Sequence, residues 1–195
     1  MKRVLDVGGH DRSMPLPVHY QGFERVLLDI DPEAEPDILC DARQLTNLSA
    51  GSFDAVYCSH NLEHYYSHDV PRVLTGFLHV LRDGGFAQIV VPDLGGVMRH
   101  VVEKGLDIED PVVQSPTRPI TVLEVLYGDS LEIARSSHDF FAHKTGFTEK
   151  SLLKVLRETG FGKLYAASAN LQLDVLAFKT GPDSSLRALF GLPEE

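Results

Sequence analysis

The sequence has no tryptophan and only two cysteines, Cys40 and Cys58. Each ends a short apolar run, where a free thiol behaves as a small hydrophobe, so a disulfide framework is excluded as the basis of the fold. Positive charge is also scarce, with 18 Lys and Arg against 28 Asp and Glu and a net charge of -10. Such a chain offers no basic stripe for a phosphate backbone, which argues against a nucleic-acid partner. Long apolar runs are missing too. The opening "MKRVLDVGG" passes from two positive charges into a strand-like run too short for a signal segment or a membrane helix. These absences predict a cytoplasmic protein with no membrane partner. At 195 residues the chain suits one domain, 1–195, whose core needs neither disulfide nor metal.

What is present is alternation. Brief Val-, Ile- and Leu-rich runs at 4–7, 26–28, 38–40, 55–58 and 87–91 read as buried strands, and helical patterns separate them. That rhythm predicts an α/β fold with a doubly wound, mostly parallel sheet. Between the last two runs Val70, Val73, Leu74, Phe77, Leu78 and Leu81 form one apolar stripe, predicting a helix over 70–81 that Gly84-Gly85 terminates. A second helix is expected over 148–159, with Thr148 as its N-cap and Gly160 as its stop. "KLYAAS" and "LQLDVLAFK" read as two closing strands, and the last residues as a tail or short helix. The segment 92–147 breaks the rhythm: it is too long for a βα connection and holds three prolines in "DPVVQSPTRP". It is expected to act as a substrate cap.

"VLDVGG" is a strand running into a glycine turn, and Asp29 ends the second strand. Glycines there let backbone approach a ligand closely, and an acid in that position can accept both hydroxyls of a ribose. For a nicotinamide cofactor the pattern G-x-G-x-x-G is required, but its later positions fall on His10 and Ser13. A dinucleotide is therefore disfavoured and an adenosine site is expected.

These stretches, in order, resemble the motifs of class I S-adenosylmethionine-dependent methyltransferases: "VLDVGG", "LLDIDP", "CDARQL", "FDAVYCSHNLEH" and "VLRDGGFAQIVVPD". The resemblance spans about residues 4–93, and "HKTGFTEKSLLKVLRETGF" is similar to the later part of a bacterial subgroup without N-terminal lid helices. It implies a seven-stranded sheet with an antiparallel last strand, S-adenosyl-L-methionine as cofactor and S-adenosyl-L-homocysteine as product. Carried over by position, it puts Asp6 and Gly8 near the methionine moiety, Gly9 where backbone passes close, and Asp29 on the ribose. It also puts Asp41 on the adenine amino group, with Ala42 and Leu45 against the ring, and the Ser59 backbone beside the methionine end. His10 departs from the family's third glycine position, so its ring is expected to point away from the cofactor. "SMPLPVHYQGF" departs as well, since Pro15 and Pro17 predict a short or broken helix.

In "SHNLEH", His60, Glu63 and His64 spell H-x-x-E-H, the pattern of inverted zinc peptidases. A peptidase would need that pattern within a helix and a third ligand downstream, in a fold with no reason to keep an adenosine site. The stretch is also similar to the E-x-x-E-H metal ligands of ubiquinone-pathway and small-RNA 2′-O-methyltransferases, with His60 replacing an acid, which favours Zn²⁺ or Mn²⁺ over Mg²⁺. No metal is expected, however: Glu63 and His64 instead cap and brace the following helix. Methyl transfer to a hydroxyl needs a base, for which His60 is the first candidate, His143 the second and His138 the third. Tyr127, Phe140, Phe141 and Phe147 are candidates for an apolar pocket wall. The expected function is methylation of oxygen or nitrogen on a small-molecule substrate; the alternative is a non-catalytic cofactor-binding module or partner subunit.

Overall fold

The computed structural model of the chain describes residues 1–115, 118–136 and 138–194. Its strands are β1 (Arg3–Val7), β2 (Glu24–Asp29), β3 (Ile38–Leu39), β4 (Phe53–Ser59), β5 (Leu81–Pro92), β6 (Pro111–Gln114), β7 (Pro119–Thr121), β8 (Lys163–Ala169) and β9 (Gln172–Phe178). Seven form one sheet in the order β3-β2-β1-β4-β5-β9-β8, and β6 and β7 pair as a separate ribbon. Strands β1 to β5 run parallel; β9, the last in sequence, runs antiparallel to β5 with Phe86 opposite Phe178 and Pro92 opposite Gln172. The expected architecture is met. The chain starts in the middle of the sheet, winds outward through β2 and β3, and returns to the other side of β1 through β4.

The helices are α1 (Val70–Val80), α2 (Leu94–Lys104), α3 (Val122–Tyr127), α4 (Ser130–Ser136), α5 (Glu149–Thr159) and α6 (Ser184–Phe190). Helix α1 follows from its stripe: Val70, Val73, Leu74 and Phe77 are all buried against the sheet. Its end differs from the sequence expectation. Leu81 turns extended at φ -71° and ψ 131°, is fully buried, and pairs with Phe53, so the chain enters β5 directly without a glycine cap. Gly84, at φ +77°, instead serves the irregular start of β5, where the register with β4 shifts between Phe53 and Ala55. Helix α5 starts as expected, with the Thr148 side chain accepting from the Ser151 N–H, and ends at Gly160 with φ +111°. Between β1 and β2 there is only a 3-10 turn, Val18–Tyr20, as Pro15 and Pro17 predict.

The main core lies between one face of the sheet and helices α1 and α5, where Leu5, Val56, Ile89 and Val175 meet Leu74, Phe77, Leu152 and Leu156. Leu74 is fully buried at its centre. Leu74→Ala is expected to cost about 2–5 kcal/mol of unfolding free energy, by lost transfer energy plus the cavity left behind, and chemical denaturation will measure it. The other face carries a smaller cluster of Val4, Tyr20, Ala55, Phe86, Phe178 and Leu186. Among the described residues no helix is long and apolar enough to cross a membrane.

The long segment after β5 folds as α2, the β6–β7 ribbon, α3 and α4. Its end is tied to the turn after β4: the N–H groups of Lys144 and Thr145 both donate to the Glu63 carbonyl, at 2.8 and 3.2 Å, and His143 N–H donates to Tyr127 O. These bonds bring His143 beside the "SHNLEH" stretch.

Candidate active site

The strand order reverses at β1, between β2 and β4, and open α/β sheets bind ligands at such a point, beyond the carboxyl ends of the strands. A cavity lies there. Its wall includes Gly8, Asp29, Asp41, His60, Asn61 and Phe141.

Gly8 has φ +71°, and its N–H donates to Leu28 O at 2.8 Å; a Cβ there would collide with the Asn61 side chain. The Asn61 Oδ1 is buried and accepts no hydrogen bond. Sequence reading missed Asn61, because only the folded turn lays it over Gly8. Gly8→Ala adds roughly 1–2 kcal/mol of left-handed strain to that collision, so S-adenosylhomocysteine binding should weaken at least tenfold by calorimetric titration, with the chain still folded.

Asp6 is placed beneath the loop, off the cavity wall. It is buried and accepts from Arg25 Nε at 2.8 Å, while Arg25 also donates to the carbonyls of Arg12 and Met14. Burial pushes the Asp6 carboxyl above its ordinary value despite Arg25. A Cβ on Gly9 would enter that carboxylate, so Gly9 serves the Asp6–Arg25 pair that fixes the loop.

Asp29 ends β2 in the wall. Its Oδ1 accepts from Asp31 N–H at 2.9 Å and its Oδ2 from His10 N–H at 3.3 Å, leaving carboxylate lone pairs free for further donors. His10 needs no left-handed backbone: among the described residues only Glu35, His60, Asn170 and Leu171 combine positive φ with a side chain. Its ring lines the cavity instead of turning away, because Phe141 offers it an edge-to-face partner at 5.6 Å.

Asp41 caps the 3-10 helix Ala42–Asn47 and grips Arg43 through Nε at 2.9 Å and a terminal nitrogen at 2.6 Å. Burial opposes its charge, but the Arg43 bonds outweigh burial and hold the carboxyl below its usual range. Ala42 and Leu45 are core residues under α1, and Ser59 pairs with Val90 in the sheet; none of the three is in the wall.

A second cavity opens on the other side of His60. Its wall is largely apolar, with Pro92, Val113, Ile120, Val125 and Leu171, and adds His143 and Gln172. Arg118 stands at it already paired with Glu124 and Asp129, each at 2.7 Å. His60 belongs to both cavities and has φ +49°, a conformation uncommon outside glycine, held by its N–H donating to Val90 O at 2.8 Å.

The three histidine positions behave differently. His60 Nδ1 lies 3.5 Å from Glu63 Oε1; burial disfavours the imidazolium, but Glu63 and Gln172 outweigh it and raise His60 above its ordinary value. His143 Nδ1 faces Val125 O at 2.9 Å, which fixes that nitrogen as the donor, and its Nε2 lies 4.0 Å from the same Glu63 oxygen. Burial pushes His143 below its ordinary value. His138 is exposed, stacks on Phe140 at 4.8 Å and lines neither cavity. Of the candidate aromatics, Phe140 and Phe141 line the first cavity, Phe147 is core and Tyr127 is exposed.

Neither Glu63 nor His64 caps the following helix: His64 Nδ1 lies 3.0 Å from Ala142 O in the insertion and its Nε2 3.1 Å from His60 O. Helix α1 begins at Val70 behind Asp69, and the Glu63 carboxylate is 1% exposed with neither oxygen accepting a hydrogen bond. Leu62–His64 is a lone 3-10 turn, so the helical geometry that a zinc peptidase needs is also missing.

The family of methyltransferase domains matches residues 1–165. No curated protein matches the chain by sequence. Among solved structures, a SAM-dependent methyltransferase from Methanosarcina mazei is 17% identical with a TM-score of 0.59, over 91% of this chain and 92% of that one. One from Archaeoglobus fulgidus is 16% identical with a TM-score of 0.56, over 91% and 86%. The Burkholderia thailandensis 1,6-didemethyltoxoflavin-N1-methyltransferase, solved with 1,6-didemethyltoxoflavin and S-adenosylhomocysteine bound, is 20% identical with a TM-score of 0.55, over 92% and 72%. At these identities the likeness to the solved structures is one of fold. With the family match, the glycine turn and the acid that ends β2, the chain belongs to the class I S-adenosylmethionine-dependent methyltransferases.

Proposed function

We propose that the protein transfers the methyl group of S-adenosylmethionine to an oxygen or nitrogen of a small-molecule acceptor, with the donor in the first cavity and the acceptor in the second. The observation that carries this reading is His60, the residue common to both walls. The donor fits the first cavity on three counts. Asp29 has free lone pairs for ribose hydroxyls, Gly8 lets backbone approach, and the unpartnered Asn61 Oδ1 is an acceptor for the α-ammonium group. Asp41, oriented by Arg43, accepts from the adenine amino group.

The bound cofactor supplies an electrophilic methyl on sulfur, so the protein's task is alignment, exclusion of water and removal of the acceptor's proton. With Nδ1 directed at Glu63, His60 takes that proton at Nε2. His143, with Nδ1 held by Val125 O, is the second base facing the acceptor. The segment 92–147 serves as the cap, since it supplies Val113, Ile120, Val125 and His143 to the acceptor cavity. Apolar side chains, and an Arg118 already paired with the wall carboxylates Glu124 and Asp129, favour an acceptor that is not an anion. The relative crystallised with 1,6-didemethyltoxoflavin supports a small acceptor by analogy of fold.

A non-catalytic module would share the first cavity but has no use for a base between the two cavities. Release of S-adenosylhomocysteine from S-adenosylmethionine, assayed over a panel of small hydroxyl and amine compounds, separates the readings. Acceptor-dependent release is expected. A protein that binds S-adenosylhomocysteine yet releases none with any acceptor would favour the module.

A further inference from the structure

Strands β8 and β9 are joined by two residues, Asn170 and Leu171, between the paired Ala169 and Gln172. Both have positive φ, +52° and +60°, the pattern of a type I′ turn. That turn ordinarily takes Asn-Gly, and Asn170 suits its first position. Leu171 does not suit the second. A left-handed backbone puts Cβ against the following carbonyl, and among ordinary residues only glycine, with asparagine and aspartate to a lesser degree, adopts it routinely. Strain of this kind persists where the surroundings or the function require that residue.

The backbone has no need of a leucine here. Leu171 O accepts from the N–H of Asp93 at 2.8 Å, which ties the hairpin tip to the start of α2, and a glycine would accept the same bond. The core has no need of it either. The side chain is half-buried and belongs to neither buried cluster, whereas Leu173, two residues on, is fully buried. What the isobutyl group does reach is the second cavity, passing Gly96 of α2, where a Cβ would stand 3.5 Å from Leu171 Cδ2. Of the four non-glycine residues with positive φ among the described ones, two, His60 and Leu171, thus stand in the wall of that one cavity.

We propose that Leu171 is a specificity-determining residue of the acceptor site, its isobutyl group packing against an aryl or alkyl portion of the acceptor. The assignment rests on the methyl-transfer reading above. With Pro92, Val113, Ile120 and Val125, Leu171 makes the apolar part of the wall, while Arg118 is engaged by Glu124 and Asp129. Such a wall suits the ring or chain of a phenol, an aryl amine or an alkyl alcohol, and it offers a sugar or other polyol few partners for its hydroxyls. Glycine at position 171 would relieve the turn but give up this contact.

The test measures binding of para-cresol, para-propylphenol, para-pentylphenol and glucose to the full chain loaded with S-adenosylhomocysteine, by ligand-observed NMR titration. The unaltered protein, Leu171→Gly and Leu171→Ala are compared. The unaltered chain should bind at least one of the phenols and not glucose. Leu171→Gly should keep a thermal midpoint at or above the unaltered one, because relief of the turn offsets the greater freedom of glycine in the unfolded chain. It should also shift preference from para-cresol toward para-pentylphenol by about fourfold or more, the worth of one buried methylene, since space opens where the isobutyl group stood. Leu171→Ala should show the same shift in preference with a midpoint below that of Leu171→Gly. A loss of stability in Leu171→Gly as large as that expected of Leu74→Ala would make Leu171 a packing residue and overturn the proposal. So would phenol affinities in the same ratio in all three chains, glucose bound in preference to the phenols, or no probe bound at all. The midpoint shift that S-adenosylhomocysteine alone gives the unaltered chain reports on the cofactor cavity. Its presence beside an unchanged phenol ratio overturns the role of Leu171 only, and its absence overturns the methyl-transfer reading.

Discussion

Asp29→Ala will leave the thermal midpoint unmoved by S-adenosylhomocysteine, while the unaltered protein rises by roughly 5–10 °C. Ligand at a hundredfold over its dissociation constant adds about 2.7 kcal/mol, and a domain of this size moves about 2–4 °C for each kcal/mol. The carboxylate ends β2 in the first cavity, with lone pairs left after the bonds from Asp31 and His10. Removing it deletes the acceptor for two ribose hydroxyls. Because those two bonds also shape the loop, Asp29→Asn is the companion variant: it retains one oxygen and should recover part of the shift. An undiminished shift in Asp29→Ala would remove Asp29 from the cofactor site.

His60→Ala should lower turnover by about 10²–10⁴, the range lost when a positioned base is removed, while the dissociation constant for S-adenosylhomocysteine stays within about threefold. The ring stands between the two cavities, and the bonds assigned to the cofactor come from Asp29, Asp41 and Asn61. Its φ of +49° complicates the substitution, since alanine tolerates that conformation poorly. Asn adopts it readily, so His60→Asn separates loss of the ring from strain in the backbone. Both variants should show the same loss of turnover. If cofactor affinity collapses instead, His60 is a binding or structural residue and His143 becomes the base.

The elements that could be read from the sequence are those fixed by local periodicity. The stripe from Val70 to Phe77 and the Thr148 and Gly160 signals define α1 and α5 within a residue of their ends. Gly84-Gly85 misled because the stop of α1 is set by pairing of Leu81 with Phe53, a contact that glycine spacing does not report. A place in the cavity wall was legible where a strand end determines position, as for Gly8, Asp29 and His60. It was not legible where side chains meet across strands or from the insertion. Asp6 looks like a wall residue by adjacency to Gly8, yet Arg25 on β2 claims it from below. Glu63 looks like a brace for the next helix, but burial by the insertion, whose Lys144 and Thr145 bind its carbonyl, leaves the carboxylate facing the imidazoles of His60 and His143 instead.

The most direct test of the account is a crystal structure with S-adenosylhomocysteine bound. The expected density has the ribose hydroxyls on the Asp29 carboxylate, the α-ammonium group on Asn61 Oδ1, and the sulfur facing His60 and the second cavity. Density for the ligand anywhere else, or with its sulfur turned away from His60, would contradict the placement of donor and acceptor on which the proposed reaction depends.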